Sequence, residues 1–258
     1  MELPLELTEQ FLMVFFRVSS FLFLVPLFGS PNLPAMLKIG LAFALTLVFV
    51  PILPPPTVSL LVTGPGVILA LGRELLIGGA LALAVKLIFA GVELAGQILG
   101  YQMGFSIMNV IDPQTSEQVS VLGQFQNFLA LMIFLAIDGH HLLIRALMHS
   151  FQLVSPLEAS FSNGLIHTLT FLSSQIFVLA IKISAPAMIA VFLANLAMGL
   201  MARLVPQMNV FMLNVPLTIA LGFLVIGLSL PFFAQLLVKA FHQLEGDLYQ
   251  LLRTMAHA

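Results

Sequence analysis

Long apolar stretches are the feature that most limits what this chain can fold into. About six of them follow one another, separated by short turns that are rich in glycine and proline. Two stretches, Gly66–Met103 and Leu165–Leu204, would each form a helix of roughly 60 Å, about twice the thickness of a hydrocarbon core. In hydrocarbon the backbone N–H and C=O groups must be satisfied within the chain, which favours helices. We therefore predict an all-α, polytopic membrane-type protein built from helical hairpins.

The composition excludes several classes of protein. Of the 258 residues, 60% are hydrophobic and 8% are charged, which is far from the average of a soluble domain. The net charge of −2 provides no basic surface for nucleic acid, because that binding depends on phosphate neutralisation by Lys and Arg. Cysteine is absent, so disulfides and thiolate chemistry are excluded. We expect a membrane protein that binds no nucleic acid.

The apolar stretches contain predicted breaks. Glycine weakens a helix interior by about 1 kcal/mol relative to alanine, so Gly78-Gly79 and Gly91 are expected to interrupt the stretch from Gly66 to Met103. A second break is expected at Asp138-Gly139-His140-His141, inside the stretch from Val121 to Leu153. The alternative for the first stretch is one long helix that extends out of the bilayer.

A polar island from Gly104 to Asn127 interrupts the apolar pattern. It reads GFSIMNVIDPQTSEQVSVLGQFQN and stands between two long apolar stretches. Irregular polar backbone at membrane depth is tolerated only where protein buries it or where water lines it. The island is therefore expected to face a cavity or a pathway.

Charged residues inside the apolar stretches are a second unusual feature. At mid-depth in a membrane such groups cost several kcal/mol unless they are paired or hydrated. We expect structural pairing at subunit contacts, while an aqueous path and proton coupling remain alternatives. Adjacent residues on a helix point in different directions, so Arg73 and Glu74 should each meet another element or another chain. The set is Arg17, Arg73, Glu74, Lys86, Glu93, Lys182 and Arg203.

Glycines and the C-terminal tail predict helix packing. Gly96, Gly100 and Gly104 recur every four residues, which forms a groove where another backbone of this chain or of a partner can approach closely.

In the C-terminal tail, apolar residues recur at three- and four-residue steps, as in an amphipathic helix. Because its polar face has few Lys or Arg residues, we expect it to pack on a partner or on its own chain rather than on lipid. The stripe is Leu237, Phe241, Leu244, Leu248, Leu251 and Met255.

No set of residues indicates catalysis, a cofactor or a metal site. His140 and His141 are adjacent, so on a helix their side chains are expected to diverge by about 100°. The HExxH and GxSxG patterns are absent, as is a glycine-rich phosphate loop. Asp138, His141 and His149 could in principle meet as metal ligands, but we expect Asp138-Gly139-His140 to mark a helix break whose polar groups satisfy freed backbone. We predict a protein that is not an enzyme and that has no cofactor and no metal ligands.

Three stretches together resemble the FliR/SctT family, the export-gate subunits of flagellar and injectisome type III secretion. The central stretch runs from Gly104 to Pro156 and includes an IDP turn, a helix that ends in DGHH, and Ser150-Phe151. The others are FFRVSSFLFLVPLFGSPNLP and, later in the chain, NLAMGLMARLVPQMNVFMLNVPLTIALGF. The matches follow in order and span about residues 11–223.

The resemblance implies a non-enzymatic subunit of a protein export channel. In that family one such chain joins about five FliP-type and four FliQ-type subunits in a helical, conical hetero-oligomer. It implies a FliP-like portion over about residues 1–162 and a FliQ-like hairpin over about residues 163–258 of a single subunit. It also implies an FlhB/SctU-type neighbour, unfolded flagellar or injectisome export substrates, contact with membrane lipid, and a multi-pass location in the bacterial inner membrane at the flagellar basal body.

The resemblance also implies a plug. The family's loop before its long central helix projects into the channel, and here it corresponds to about Phe105–Ser120. It would form an apolar constriction that excludes water and ions when no substrate is present. Asp112-Pro113 would set the turn and Gln114–Gln118 would form a polar crest. The plug or gate residues are Phe105, Ile107, Met108, Val110, Ile111, Asp112 and Pro113.

A secondary transporter or ion channel that uses intramembrane charges is the alternative function. Many such transporters contain internal repeats with broken helices. No convincing repeat relates the two halves of this sequence, so the export gate is favoured.

Overall fold

The part of the chain that the structure describes is helical apart from short turns between the helices. This computed structural model describes residues 5–30, 33–53, 64–105, 120–154, 163–207 and 209–256. Within those ranges there are eight helices and no strand, which confirms the predicted all-α class. The helices are α1 (Leu5–Leu24), α2 (Pro26–Gly29), α3 (Ala35–Phe49), α4 (Gly64–Met103), α5 (Val121–Ala136), α6 (Gly139–Leu153), α7 (Asn163–Leu204) and α8 (Val210–Ala256).

Several helices are long and apolar enough to cross a membrane. Among the described residues four helices meet that condition, namely α1, α4, α7 and α8. Helices α5 and α6 qualify only together, as a pair bent by 72°, and the number rises to five if this pair forms one span. The predicted polytopic membrane character is confirmed. The break between α5 and α6 lies at Ile137 and Asp138, where the sequence predicts it.

Helix α4 is continuous, so the predicted breaks at Gly78-Gly79 and Gly91 are wrong. Gly78 and Gly91 instead allow close contact between backbones. A Cβ atom on Gly78 would collide with the carbonyl oxygen of Arg17, and one on Gly91 would lie 3.2 Å from the carbonyl oxygen of Ile176. Each glycine lowers helix propensity by only about 1 kcal/mol, which packing along such a long helix can offset.

The described helices belong to two compact units assembled from separate stretches of the chain. Unit 1 comprises Met1–Leu87, Asp138–Ser173 and Phe241–Ala258, and unit 2 comprises Ile88–Ile137 and Ser174–Ala240. Helices α1, α2, α3 and α6 lie in unit 1 and α5 lies in unit 2, whereas α4, α7 and α8 contribute to both. The division into a FliP-like portion and a FliQ-like hairpin near residue 162 stays a prediction.

In unit 1, helices α1 and α3 pack side by side. The rings of Phe11 and Phe43 meet edge to face, with their centroids 5.4 Å apart. Gln10 donates hydrogen bonds from Nε2 to the carbonyl oxygens of Val50 and Leu53, at 3.3 and 3.1 Å. These carbonyls follow the end of α3 and have no partner within the helix, so Gln10 satisfies them.

The apolar stripe of the C-terminal tail is buried. None of its six residues exposes more than 1% of its surface, while Lys239, His242 and Glu245 on the other face are exposed. The prediction that the tail packs on protein rather than on lipid is confirmed, and the protein it packs on is its own chain.

In unit 2, the core joins the end of α4 to α5, α7 and α8. Its buried members are Leu99, Met103, Leu122, Ala187, Val191 and Ile226.

Outside this core, α7 and α8 expose many large apolar side chains. Over the most apolar 18 residues of each helix, the buried share is 28% in α7 and 22% in α8, compared with 50% in α4. Apolar surface of this extent suits lipid or neighbouring subunits rather than water.

Candidate functional site

The predicted plug lies largely in residues 106–119, which we name the gate segment. Of the seven predicted gate residues, only Phe105 lies within the part that the structure describes. Outside the described residues lie Ile107, Met108, Val110, Ile111, Asp112 and Pro113. The structure therefore shows how the two ends of the gate segment are held.

At the first end, helix α4 stops in a defined cap. Gly104 has a φ of 92°, a left-handed conformation that favours glycine. Its N–H donates to the carbonyl oxygen of Tyr101 at 3.2 Å, and the N–H of Phe105 donates to that of Gly100 at 3.0 Å. This pair of bonds is a Schellman motif. Gly104 therefore ends the helix, whereas Gly96 and Gly100 lie within it.

At the second end, Ser120 caps helix α5 and ties it to α4. Its Oγ accepts a hydrogen bond from the N–H of Gly123 at 3.1 Å and donates one to the carbonyl oxygen of Gly96 at 3.2 Å. A Cβ atom on Gly96 would overlap the backbone of Gly123. The backbones of α4 and α5 are thus in direct contact, so the glycine groove packs within the chain at this position.

Gly100 brings both ends of the gate segment together. Its carbonyl oxygen holds Phe105, and a Cβ atom at this position would lie 3.1 Å from the Oγ of Ser120. We call this arrangement of Gly96, Gly100, Phe105, Ser120 and Gly123 the neck. Phe105 and Ser120, the described residues on either side of the gate segment, are therefore both held at the last turns of α4.

The neck rests on helix α8 within unit 2. The ring of Phe105 packs edge to face on that of Phe223, with centroids 6.2 Å apart. Thr218 donates from Oγ1 to the carbonyl oxygen of Met103 at 3.2 Å, which satisfies one carbonyl at the end of α4. Met103 itself is fully buried. These contacts fix the base of the gate segment in the core of unit 2.

Gly96→Ala is expected to destabilise the neck. The added methyl group meets the backbone of Gly123, which cannot rotate away, so α4 and α5 must separate at a cost of about 1–3 kcal/mol. Gly72→Ala is the matched control, because Gly72 lies in the same helix with no atom within 4 Å of an added Cβ atom. Thermal unfolding in detergent should show a lower Tm for Gly96→Ala and an unchanged or higher Tm for Gly72→Ala. Equal Tm values for the two variants would contradict the neck.

A second candidate feature is a fully buried ion pair in unit 1. Arg17 on α1 and Glu74 on α4 form two parallel hydrogen bonds, Nε to Oε2 at 2.5 Å and Nη2 to Oε1 at 3.0 Å. Arg17 also donates to the carbonyl oxygens of Ser150 and Val154, at 2.8 and 3.2 Å. Its guanidinium group lies 4.3 Å from the ring centre of Phe151. One side chain thus connects α1, α4 and the end of α6.

The sequence did not pair Arg17 with Glu74, because 57 residues separate them. The role of Ser150-Phe151 was also missed, although this dipeptide contributes to the family resemblance. A useful signal was the isolated Arg17 in an apolar helix, which requires a buried counter-charge from elsewhere in the chain.

The remaining predicted charges occupy different surroundings. Lys86, Lys182 and Arg203 are exposed, and no ion pair joins them to a carboxylate of the described residues. Arg73 and Glu93 are half-buried. The structure therefore does not gather the seven predicted charges into one site.

Known proteins resemble this chain over most of its length. Residues 8–244 match the family described as "Bacterial export proteins, family 1". The "Flagellar biosynthetic protein FliR" of Bacillus subtilis (strain 168) is 40% identical over 226 residues, which is 86% of each chain. The protein of that name from Pectobacterium carotovorum subsp. carotovorum is 31% identical over 93% of this chain and 92% of its own length. That from Escherichia coli (strain K12) is 30% identical over 84% of this chain and 83% of its own.

Proposed function

The chain belongs to the FliR family of bacterial export proteins, and from that premise we propose that it is a subunit of the flagellar type III protein export gate. Its apolar helices and its flagellar relatives make it a multi-pass inner-membrane protein. In the proposed role it lines the entrance channel through which unfolded flagellar proteins leave the cytoplasm. It catalyses no reaction.

The neck is the observation that carries this proposal. A plug must stay attached while a polypeptide pushes it aside, and therefore needs a firm base beneath a deformable tip. The Schellman cap at Gly104, the Ser120 bonds and the packing of Phe105 supply that base. The gate segment supplies a run of Ile, Met and Val side chains, of which methionine adapts most easily to varied surfaces.

The exposed apolar surface supports assembly with partners. Side chains that project outward along α7 include Phe177, Ile189, Phe192 and Leu196, each exposed over more than half of its surface. We propose that part of this surface contacts FliP-type and FliQ-type subunits, in the ratio of about five and four to one copy of this chain, and that an FlhB/SctU-type subunit binds nearby. Lipid covers the rest.

The alternative function, a secondary transporter driven by intramembrane charges, finds less support. Such a transporter needs ionisable groups that can exchange a substrate or a proton along a pathway. Arg17 and Glu74 are the two fully buried charges among the seven predicted, and they are hydrogen-bonded to each other. Arg17 also donates to two backbone carbonyls. These interactions suit a structural role.

Mass measurement of the purified assembly tests the proposed function. The chain is expressed with its FliP-type and FliQ-type neighbours, purified in mild detergent through a tag on this chain, and analysed by native mass spectrometry. One copy of this chain in a complex with several copies of both partners is the expected result. The same expression without this chain gives the control, from which no such complex should be recovered. A chain that elutes alone, with both partners present in the membrane, would overturn the proposal.

A further inference from the structure

Three side chains that commonly ligate metals meet where helix α6 begins in unit 1. Oδ1 of Asp138 lies 3.5 Å from Nδ1 of His141 and 4.0 Å from Nε2 of His140. The three ligand atoms all lie within 4.8 Å of one another. The two imidazole rings lie side by side, with centroids 4.1 Å apart. The divergence predicted for adjacent helical residues is therefore not observed.

The backbone at this corner is held in an uncommon conformation. Asp138 has φ 56° and ψ 31°, and among the described residues other than glycine it is the one with positive φ. An aspartate that precedes a helix usually accepts a hydrogen bond from an N–H of the first turn, but Asp138 makes no such bond. Aspartate adopts this left-handed conformation more readily than most residues do. Here the carboxylate lies beside the imidazoles instead of capping the helix.

The spacing of the three ligand atoms suits a cation placed between them. Separations of 3.5 and 4.0 Å are too long for strong hydrogen bonds between the carboxylate and the imidazoles. Around a tetrahedral zinc ion, bonds of 2.0–2.2 Å place neighbouring ligand atoms about 3.4 Å apart. Asp138 and His141 expose 74% and 64% of their side chains. Small rotations of these side chains can therefore shorten the separations to the spacing around zinc without disturbing buried residues.

In place of the sequence-based prediction of no metal ligands, we propose that Asp138, His140 and His141 bind one divalent transition-metal ion, and that this ion is Zn²⁺. Two imidazoles and a carboxylate form a ligand set that zinc accepts, and solvent can supply the fourth ligand. The ion fixes the start of α6, and the other end of this helix presents the Ser150 carbonyl to Arg17. The site is structural and independent of the role of the chain in protein export.

Zinc binding by the purified full-length chain tests the proposal. The chain carries an affinity tag without histidine, is stripped with a chelator and dialysed in detergent, and is then titrated with Zn²⁺ alone. Calorimetry should show about one tight equivalent per chain, and elemental analysis after gel filtration should find the same ratio. The Tm of the protein should rise with added Zn²⁺, because the ion binds the folded state.

Three variants separate this site from incidental zinc binding. His140→Ala/His141→Ala should lose the tight equivalent and the rise in Tm. Asp138→Asn should weaken binding at least about tenfold while keeping the backbone, because asparagine tolerates a left-handed conformation. His149→Ala is the matched control on the same helix, since that imidazole already contacts Gln152 and Tyr249, and it should bind Zn²⁺ like the wild type. Absence of a tight equivalent in the wild type, or its persistence in the double variant, would overturn the proposal.

Discussion

Arg17→Met should strongly destabilise the folded protein. The substitution removes the counter-charge of Glu74, which is fully buried, together with the donors for the Ser150 and Val154 carbonyls. Breaking a buried ion pair on one side costs about 3–5 kcal/mol, a large share of the roughly 5–15 kcal/mol that stabilises a typical protein. We expect a marked fall in Tm and in the monodisperse fraction on gel filtration in detergent.

A double substitution distinguishes the loss of a charge partner from the loss of volume. Arg17→Met/Glu74→Leu removes both charges and fills the site with apolar groups, so it should recover the part of the stability that Arg17→Met loses through the unpaired Glu74 carboxylate, though not the part lost with the donors to the two carbonyls. Lys86→Met is the matched control, because it removes an exposed charge from the same helix as Glu74 and should change Tm little. A double variant less stable than Arg17→Met, or an Arg17→Met protein as stable as the control, would contradict the role of the pair.

Deletion of residues 107–118 should open an ion leak in the assembled complex. The deletion removes the apolar part of the gate segment and leaves Phe105 and Ser120, so the neck can still close. Without the apolar constriction, water and ions are no longer excluded from the channel. Planar-bilayer recordings of the purified complex should show steady conductance where the wild type shows almost none.

A second variant locates the seal within the gate segment. Replacing Gln114–Gln118 with glycine and serine changes the polar crest but leaves Ile107, Met108, Val110 and Ile111 in place. This variant should remain closed if the apolar residues form the seal. The plug assignment would be wrong if the deletion complex, intact by native mass spectrometry, conducted no more than the wild type.

Features set by local sequence could be predicted. The helical class follows from apolar stretches that must satisfy their own backbone, and the buried stripe of the tail follows from its three- and four-residue steps. The break at Asp138 was also predicted, because Asp-Gly interrupts an apolar helix. Each of these features depends on residues that are close together in the chain.

Features set by contacts distant in the chain could not be predicted. Gly78 and Gly91 suggested breaks, but they are needed because the backbones of Arg17 and Ile176 lie against them. These contacts join distant parts of the chain and cannot be predicted from the spacing of residues in the sequence. The pairing of Arg17 with Glu74 could not be predicted for the same reason. Both ends of the gate segment were located from the sequence, yet their convergence on Gly100 required the packing of α4 against α5.

The path of an export substrate tests the central claim most directly. A photo-crosslinking amino acid at Met108 in the gate segment, in a complex that holds a stalled export substrate, should give an adduct between this chain and the substrate. The same probe at Phe192, which is exposed on α7, should give none, because lipid or partner subunits cover that surface. An adduct from Met108 that disappears without stalled substrate is the predicted result. A stalled complex in which Met108 gives no adduct, or in which Phe192 reacts as strongly, would contradict a channel plug at this position.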